Sequence, residues 1–162
     1  MIFEKGHFRS SRLQKSIINE NLNKTKTFSA NSAYDTKTTV FLSHKHKDIE
    51  EIEEATGVIE MLEDLGVKVY IDSIDNKMPN QTTGETAARI KEVIKYSDKF
   101  ILLATKKAIE SYWCNWELGI GDVHKFQSHI ALLPVKEKGE FDSQYKGNEY
   151  LQIYPHKDYR DG

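Results

Sequence analysis

Four short runs of apolar and β-branched residues recur along the chain at the spacing of strand–helix–strand units. They are residues 38–43 (TTVFLS), 67–71 (VKVYI), 99–104 (KFILLA) and 129–135 (HIALLPV). A weaker run at residues 151–154 (LQIY) would be a fifth strand. Short apolar runs that alternate with helical segments predict a parallel sheet covered on both faces.

Three amphipathic segments separate the first four runs. Residues 48–65, 86–96 and 112–125 each place apolar side chains on one helical face, and Gly66 supplies a stop after the first segment. We therefore expect an α/β fold with a doubly wound, five-stranded parallel sheet. Ligands of such sheets bind beyond the carboxyl ends of the strands, so the loops that follow the strands are where chemistry is expected.

The N-terminal part of the chain is polar and somewhat basic. A short amphipathic helix is expected between Leu13 and Leu22, and residues 23–37 have the composition of a linker. The predicted organisation is a helical extension and linker over residues 1–37, followed by one domain over residues 38–162.

Composition and charge narrow the classes of partner. Hydrophobic residues make up 38% of the 162 and charged residues 30%, and no apolar run approaches the roughly 18 residues that span a bilayer. The formal net charge is -2, with lysines interleaved among acids, so neither nucleic acid nor a membrane is an expected partner. No secretion signal is visible at the N-terminus, so a cytoplasmic location is expected, and a single cysteine excludes an internal disulfide.

The loop after the first strand, SHKHKD, combines a hydroxyl group, two imidazoles and two lysines where the chain turns into a helix. Helix N-termini attract phosphate, so Ser43, His44 and Lys45 could hold a diphosphate. The alternative is a solvated loop in which Asp48 caps the helix. His44 and His46 are too few for a zinc site, and no metal is expected.

The loop over residues 72–85 (DSIDNKMPNQTTGE) exceeds the length at which structureless connections become uncommon. Met78 offers an apolar contact in polar surroundings. The loop could serve as a flap over a pocket or as a contact with a second copy of the chain. An uncommitted surface loop is the other interpretation.

Residues 110–122 (ESYWCNWELGIGD) hold the most informative pair of side chains. Trp113 and Glu117 are four residues apart and share one helical face. Cleavage of a nicotinamide–ribose bond builds positive charge on the ribose while neutral nicotinamide leaves. One carboxylate facing that charge can suffice, without an acid for the leaving group. In the alternative interpretation Trp113 and Trp116 are core aromatics and Glu117 is a solvent-facing or ion-paired residue.

Four segments in order, VFLSHKHKD, VYIDSIDNKMPNQTTGE, YSDKFILLATKKAIES and WCNWELG, resemble the successive boxes of bacterial TIR domains. The resemblance covers roughly residues 38–154 and is greatest to the TIR proteins of Thoeris-type anti-phage systems. It implies a flavodoxin-like parallel sheet. It also implies cleavage of NAD+, as substrate and with no added cofactor, into nicotinamide and an ADP-ribose-derived signal.

The resemblance also assigns residues. It places the catalytic glutamate at Glu117 within a W-x-x-x-E element that begins at Trp113. It makes residues 43–45 part of the nucleotide pocket, together with Ser73. The family's BB loop, which meets a neighbouring subunit, corresponds to the loop over residues 72–85; its candidate contact residues are Asp75, Lys77, Met78 and Pro79.

The partners implied are NAD+, further copies of the chain through TIR–TIR contacts, a phage-derived activator, and a separate effector that senses the product. A non-catalytic TIR adaptor or scaffold is the alternative function, although a glutamate at position 117 argues against it. A receiver domain shares the topology but needs an acceptor aspartate after the third strand, where this chain has Ala104 and Thr105.

The family's usual helix after the fifth strand has no counterpart before the chain ends at Gly162. One hypothesis is that the helix between Leu13 and Leu22 covers the face that this helix would otherwise cover. The polar stretch over residues 136–149 is likewise too glycine-containing and too short to predict the family's usual fourth helix.

Overall fold

Five parallel strands form one sheet in the computed structural model of the chain, which describes residues 2–9, 37–72, 84–139 and 149–156. The order across the sheet is β1-β5-β4-β2-β3. Four of the strands match the predicted runs to within two residues, which confirms the α/β class. The strands in chain order are β1 (Phe3–Glu4), β2 (Thr39–Ser43), β3 (Lys68–Tyr70), β4 (Lys99–Ala104) and β5 (Ile130–Lys136).

Helices lie on both faces of this sheet. Asp48 caps the first of them with its side chain, which accepts a hydrogen bond from the Glu50 backbone N–H at 3.1 Å, as predicted. Gly66 follows this helix with φ near +79°, a left-handed conformation that favours glycine. In the described residues no helix is long and apolar enough to cross a membrane. The helices are α1 (Ile49–Asp64), α2 (Gly84–Tyr96), α3 (Lys106–Ile109) and α4 (Tyr112–His124), with 3₁₀ turns at Gln127–His129 and Glu149–Ile153.

The fifth strand is not where the sequence predicts it. The prediction of a strand at residues 151–154 is wrong, because residues 151–153 lie in a 3₁₀ helix that buries Leu151, and Tyr154, which is also buried, follows that helix. A run of four residues is too short for its apolar pattern to distinguish a 3₁₀ helix from a strand. The outer edge of β5 pairs instead with β1, and also forms a single β-bridge between Leu132 and His156.

The N-terminal segment that supplies β1 is held against α1. Glu54 accepts hydrogen bonds from the backbone N–H groups of Gly6 and Phe8, and Phe8 is buried. Gly57 makes this contact possible, because a Cβ at that position would lie 2.4 Å from the Phe8 carbonyl oxygen. Phe3 and Glu4 therefore belong to the same sheet as the four longer strands, and the residues that follow them pack against α1. The predicted helix between Leu13 and Leu22 lies outside the described residues.

Two apolar clusters fill the space between the sheet and its helices. The cluster beneath α2 and α4 includes Phe41 and Phe100, whose rings stack at 5.7 Å. Gly121 lets α4 approach the sheet, since a Cβ there would lie 3.1 Å from the Phe100 ring. The other cluster, beneath α1, includes Phe8 and Leu42. The close seating of α4 brings its buried face up to the ends of the central strands.

Candidate functional site

The carboxyl ends of β2 and β4 form the switch point of the sheet. The chain leaves β2 through α1 to reach β3 on one side, then returns through α2 to β4 on the other side. Connections that diverge from neighbouring strands leave a crevice at those strand ends. Ser43 is the last residue of β2, and Thr105 follows β4, so both border this crevice.

Glu117 is the central side chain of the crevice. It lies on the buried face of α4 with 1% of its surface exposed, so it is not a solvent-facing glutamate. The Ser43 hydroxyl donates a hydrogen bond to Glu117 Oε2 at 2.5 Å, joining residues 74 positions apart. The contact joins the end of β2 to α4.

The surroundings of Glu117 favour its neutral form. Burial raises the pKa of this carboxyl group well above its usual range, and the negative charge of Asp72 raises it further. The Ser43 hydroxyl and the Trp113 indole lower the pKa, but by less. Oε1 of Glu117 has no hydrogen bond within the described part of the chain. The carboxyl group therefore retains an acceptor oxygen for another molecule.

Trp113 lies one helical turn before Glu117, as the spacing predicts. Its indole is partly buried and packs against Trp116, with ring centroids 4.9 Å apart. The Trp113 N–H lowers the pKa of Glu117, but its geometry is not that of a hydrogen bond, so the contact is electrostatic. An aromatic ring thus stands beside the buried carboxyl group.

Residues 43–45 point in different directions. Ser43 contacts Glu117, and His44 is buried with 1% exposure. The Lys45 ammonium lies 3.5 Å from the hydroxyl of Ser111, the residue that caps α4. The three side chains therefore do not converge on the N-terminus of α1, and their joint binding of a diphosphate stays a prediction.

A histidine and an aspartate meet at the rim of the crevice. His46 Nδ1 lies 3.2 Å from Asp72 Oδ2, which joins the loop after β2 to the end of β3. The rings of His44 and His46 lie edge to face at 6.3 Å. Burial lowers the pKa of His44 below its usual value, although the charge of Asp72 opposes this. Sequence reasoning missed Asp72; its position directly after an apolar strand was the available signal.

Comparison with known proteins identifies the family. The profile of the TIR domain family matches residues 40–161. The chain belongs to the TIR domain family.

Two known proteins show how far this similarity extends. A relative from Bacillus cereus (strain MSX-D12), named probable 3' cyclic ADP-D-ribose synthase ThsB', is 32% identical over 152 residues, which are 93% of this chain and 72% of the relative. Among solved structures, the 2-deoxyribosyltransferase of Bacillus psychrosaccharolyticus superposes with a TM-score of 0.55 at 16% identity, covering 76% of this chain and 87% of that one. At that identity the second match shows the fold alone.

Five residues of the expected TIR site follow β3 in the sequence. Ser73 and the BB loop residues Asp75, Lys77, Met78 and Pro79 lie outside the described residues, so their roles stay predictions. In the parts of the TIR domain that are described, no group of three or more His, Cys, Asp or Glu side chains could hold a metal ion.

A second buried carboxyl group lies on the other side of the TIR sheet. Glu51 in the first turn of α1 is fully buried and accepts a hydrogen bond from the Thr105 hydroxyl. Lys5 of the N-terminal segment lies 3.8 Å from the other oxygen of Glu51. No sequence pattern indicated this group, because its two partners, Thr105 and Lys5, come from distant parts of the chain.

Proposed function

We propose that this TIR domain cleaves NAD+ at the bond between nicotinamide and ribose and releases an ADP-ribose-derived signal in anti-phage defence. The observation that carries the proposal is Glu117, a buried carboxyl group held by Ser43 one helical turn from Trp113. The family and the name of the relative from Bacillus cereus support the same activity.

The chemistry follows from where charge moves. As the bond breaks, its electron pair goes to the nicotinamide ring, which leaves neutral, and positive charge develops on the ribose. An ionised Glu117 stabilises that charge, and the Ser43 hydrogen bond fixes Oε2 while Oε1 faces the ribose hydroxyls. No proton donor is required for nicotinamide.

The raised pKa of Glu117 is compatible with this role. NAD+ carries a fixed positive charge on the nicotinamide ring, and a nearby positive charge favours the ionised form of a carboxyl group. The bound substrate thus offsets the burial that raises the pKa of Glu117 in the free protein. Trp113 supplies a flat apolar surface for the ring beside the carboxylate.

The phosphate groups are expected on the side of the crevice formed by α4. The first turn of α1 carries Glu50 and Glu51 beside the Asp48 cap, which opposes an anion at that helix end. The first turn of α4 has no acidic residue, and Lys45 lies at its cap, Ser111. Lys45 is therefore the residue of the predicted set best placed to contact the diphosphate.

We further propose that the product is a cyclic ADP-ribose, joined through the 3' position as in the name of the Bacillus cereus relative. A separate effector would sense it, and a phage-derived component would activate the enzyme in the cytoplasm. Mass spectrometry of the NAD+ products, with linear and cyclic standards, tests the product assignment. A linear product alone would contradict it.

Self-association is supported by apolar side chains on the outer face of α4. Tyr112 and Val123 are 95% and 80% exposed, and Trp116 on the same face is partly exposed. Exposed apolar residues at helical spacing are suited to contact with another chain. This face would equally serve a non-catalytic adaptor, so catalysis must be tested directly.

The direct test is nicotinamide release from NAD+ by the full-length chain and by Glu117→Ala. The loss of the carboxylate is expected to reduce release by on the order of 10²–10³-fold or more. Glu92→Gln, a change on the exposed face of α2, is the matched control and should retain full activity. Equal release by the unchanged chain and Glu117→Ala would exclude Glu117, and no release by the unchanged chain under any activating condition would favour the adaptor.

A further inference from the structure

The proposed reaction has a second half that Glu117 does not complete. After nicotinamide leaves, the oxygen of an acceptor hydroxyl bonds to the ribose carbon that nicotinamide occupied. That hydroxyl belongs either to water or to the substrate itself, and it must lose a proton. Ser43 engages one oxygen of Glu117, and the proposed function assigns the other oxygen, which has no hydrogen bond among the described residues, to the ribose. A separate base is therefore needed near the crevice.

The pair formed by His46 and Asp72 has the arrangement of such a base and its orienting group. His46 Nδ1 lies 3.2 Å from Asp72 Oδ2 at an angle outside that of a hydrogen bond, so it is the charge of the carboxylate that favours a proton on Nδ1 and leaves Nε2 as the acceptor. The His46 side chain is 24% exposed, and that of Asp72 is 10% exposed. The imidazole is thus open to a ligand, while its carboxylate is largely enclosed.

The same pair lies close to the cleavage site. His46 follows Ser43 by three residues, and Ser43 contacts Glu117 at 2.5 Å. Asp72, which lies 3.2 Å from His46, also acts electrostatically on Glu117 and on His44, so the pair lies near the buried carboxyl group. Among the described residues, the charged and titratable groups that contact His46 are Asp72, two residues after β3, and His44 of its own loop; Glu117 of α4 is within the electrostatic range of Asp72.

We propose that His46 is the general base of the transfer step and that Asp72 is its positioning residue, an inference that rests on the proposed function. The C–N bond breaks with its electron pair leaving on nicotinamide. An oxygen lone pair of the acceptor then forms the new C–O bond, and the acceptor's proton passes to His46 Nε2. Positive charge on the resulting imidazolium is stabilised by the Asp72 carboxylate.

The role of His46 as a base can be tested with an acceptor that has no proton to lose, because transfer to such an acceptor needs no base. A neutral pyridine such as 3-acetylpyridine attacks the same ribose carbon through its ring nitrogen and replaces nicotinamide without any base. The full-length chain and His46→Gln are incubated with NAD+, with and without 3-acetylpyridine, and the hydroxyl-transfer products are quantified separately from the pyridine-exchange product. His124→Gln, an exposed change at the end of α4, is the matched control.

His46→Gln is expected to lose about 10²–10⁴-fold in water or hydroxyl transfer while pyridine exchange stays within about twofold of the unchanged chain. Asp72→Asn is expected to shift the product ratio in the same direction by a smaller factor. Retained exchange also shows that the variant is folded with Glu117 in place. A proportional loss of both products in His46→Gln, or no loss of either, overturns the role of His46. Absence of both reactions in the unchanged chain overturns the proposed function itself, and the base with it.

Discussion

Replacing Glu117 with glutamine is expected to make the protein more stable and inactive at the same time. The carboxyl group is 1% exposed and holds one hydrogen bond, to Ser43. Its pKa is raised well above its usual range, first by burial and then by the charge of Asp72. An ionised carboxylate at this position is thus desolvated without full compensation. Glutamine keeps the shape and an acceptor oxygen for Ser43, but it carries no charge.

The sign of the pH dependence follows from proton binding. Because the pKa of Glu117 is higher in the folded chain than in the unfolded chain, the folded chain binds this proton more tightly. Its contribution to stability is complete below the unfolded pKa of about 4.5 and is lost as pH rises through the folded pKa. Glu117→Gln has no such loss. Its stability relative to the unchanged chain should therefore increase with pH across that interval and then level off.

The expected difference in stability between Glu117→Gln and the unchanged chain equals the free energy required to bury the Glu117 charge with only one hydrogen bond. We expect Glu117→Gln to exceed the unchanged chain by about 1–3 kcal/mol in free energy of unfolding at about pH 8, and by much less at about pH 4. Each kcal/mol corresponds to roughly 2–4 °C in Tm for a domain of this size.

The measurement is urea or thermal unfolding of both proteins across this pH range, paired with an assay of nicotinamide release. The exposed Glu92→Gln provides the control, since it should show no pH-dependent difference from the unchanged chain. A difference for Glu117→Gln that is flat with pH, or that shrinks as pH rises, would refute the assignment of a raised pKa to this group.

Three further changes probe the contacts around the site. Ser43→Ala removes the hydrogen bond that lowers the pKa of Glu117, so nicotinamide release at neutral pH should fall by roughly 10- to 100-fold and the pH–rate midpoint should move upward; a downward move would contradict the contact. Lys45→Ala should raise KM for NAD+ by about tenfold or more with a smaller change in kcat, because it removes a cation from the proposed phosphate side; an unchanged KM would exclude that role. Gly57→Ala should destabilise the fold by about 1–3 kcal/mol in urea unfolding, since its Cβ would collide with the docked N-terminal segment, whereas Gly119→Ala, which has open space around it, should not destabilise it.

Much of the fold could be predicted from hydrophobic periodicity. The strands β2, β3, β4 and β5 and the helices α1, α2 and α4 all begin and end within two residues of the predicted bounds. These elements are long enough for a period to be visible. β1 has only two residues, which no period can reveal, and the segment at residues 151–154 is apolar enough to mimic a strand.

In the candidate site, too, the features within one helix could be predicted and the contacts between distant segments could not. The placement of Trp113 and Glu117 on one face of α4 follows from their spacing, because both are in one helix. The burial of Glu117 cannot be predicted from the sequence of α4 alone, because it depends on the close packing of the helix against the sheet that Gly121 allows. Contacts across the chain, such as those from Glu117 to Ser43 and from His46 to Asp72, arise only when strands align at one edge, so neither was predicted.

The burial of Glu117 connects stability, recognition and chemistry in the proposed function. A surface glutamate would be ionised without a substrate and would interact weakly with a developing charge, because water screens both. At a buried position the charge is costly until a cation enters, and the same low polarity then strengthens the attraction between carboxylate and ribose. A site of this kind selects for substrates that bring their own positive charge, which the oxidised nicotinamide ring does. In the proposed reaction the burial of Glu117 therefore has two effects. It lowers the stability of the folded chain when the carboxyl group is ionised, and it strengthens the attraction of the carboxylate for the positive charge of the transition state.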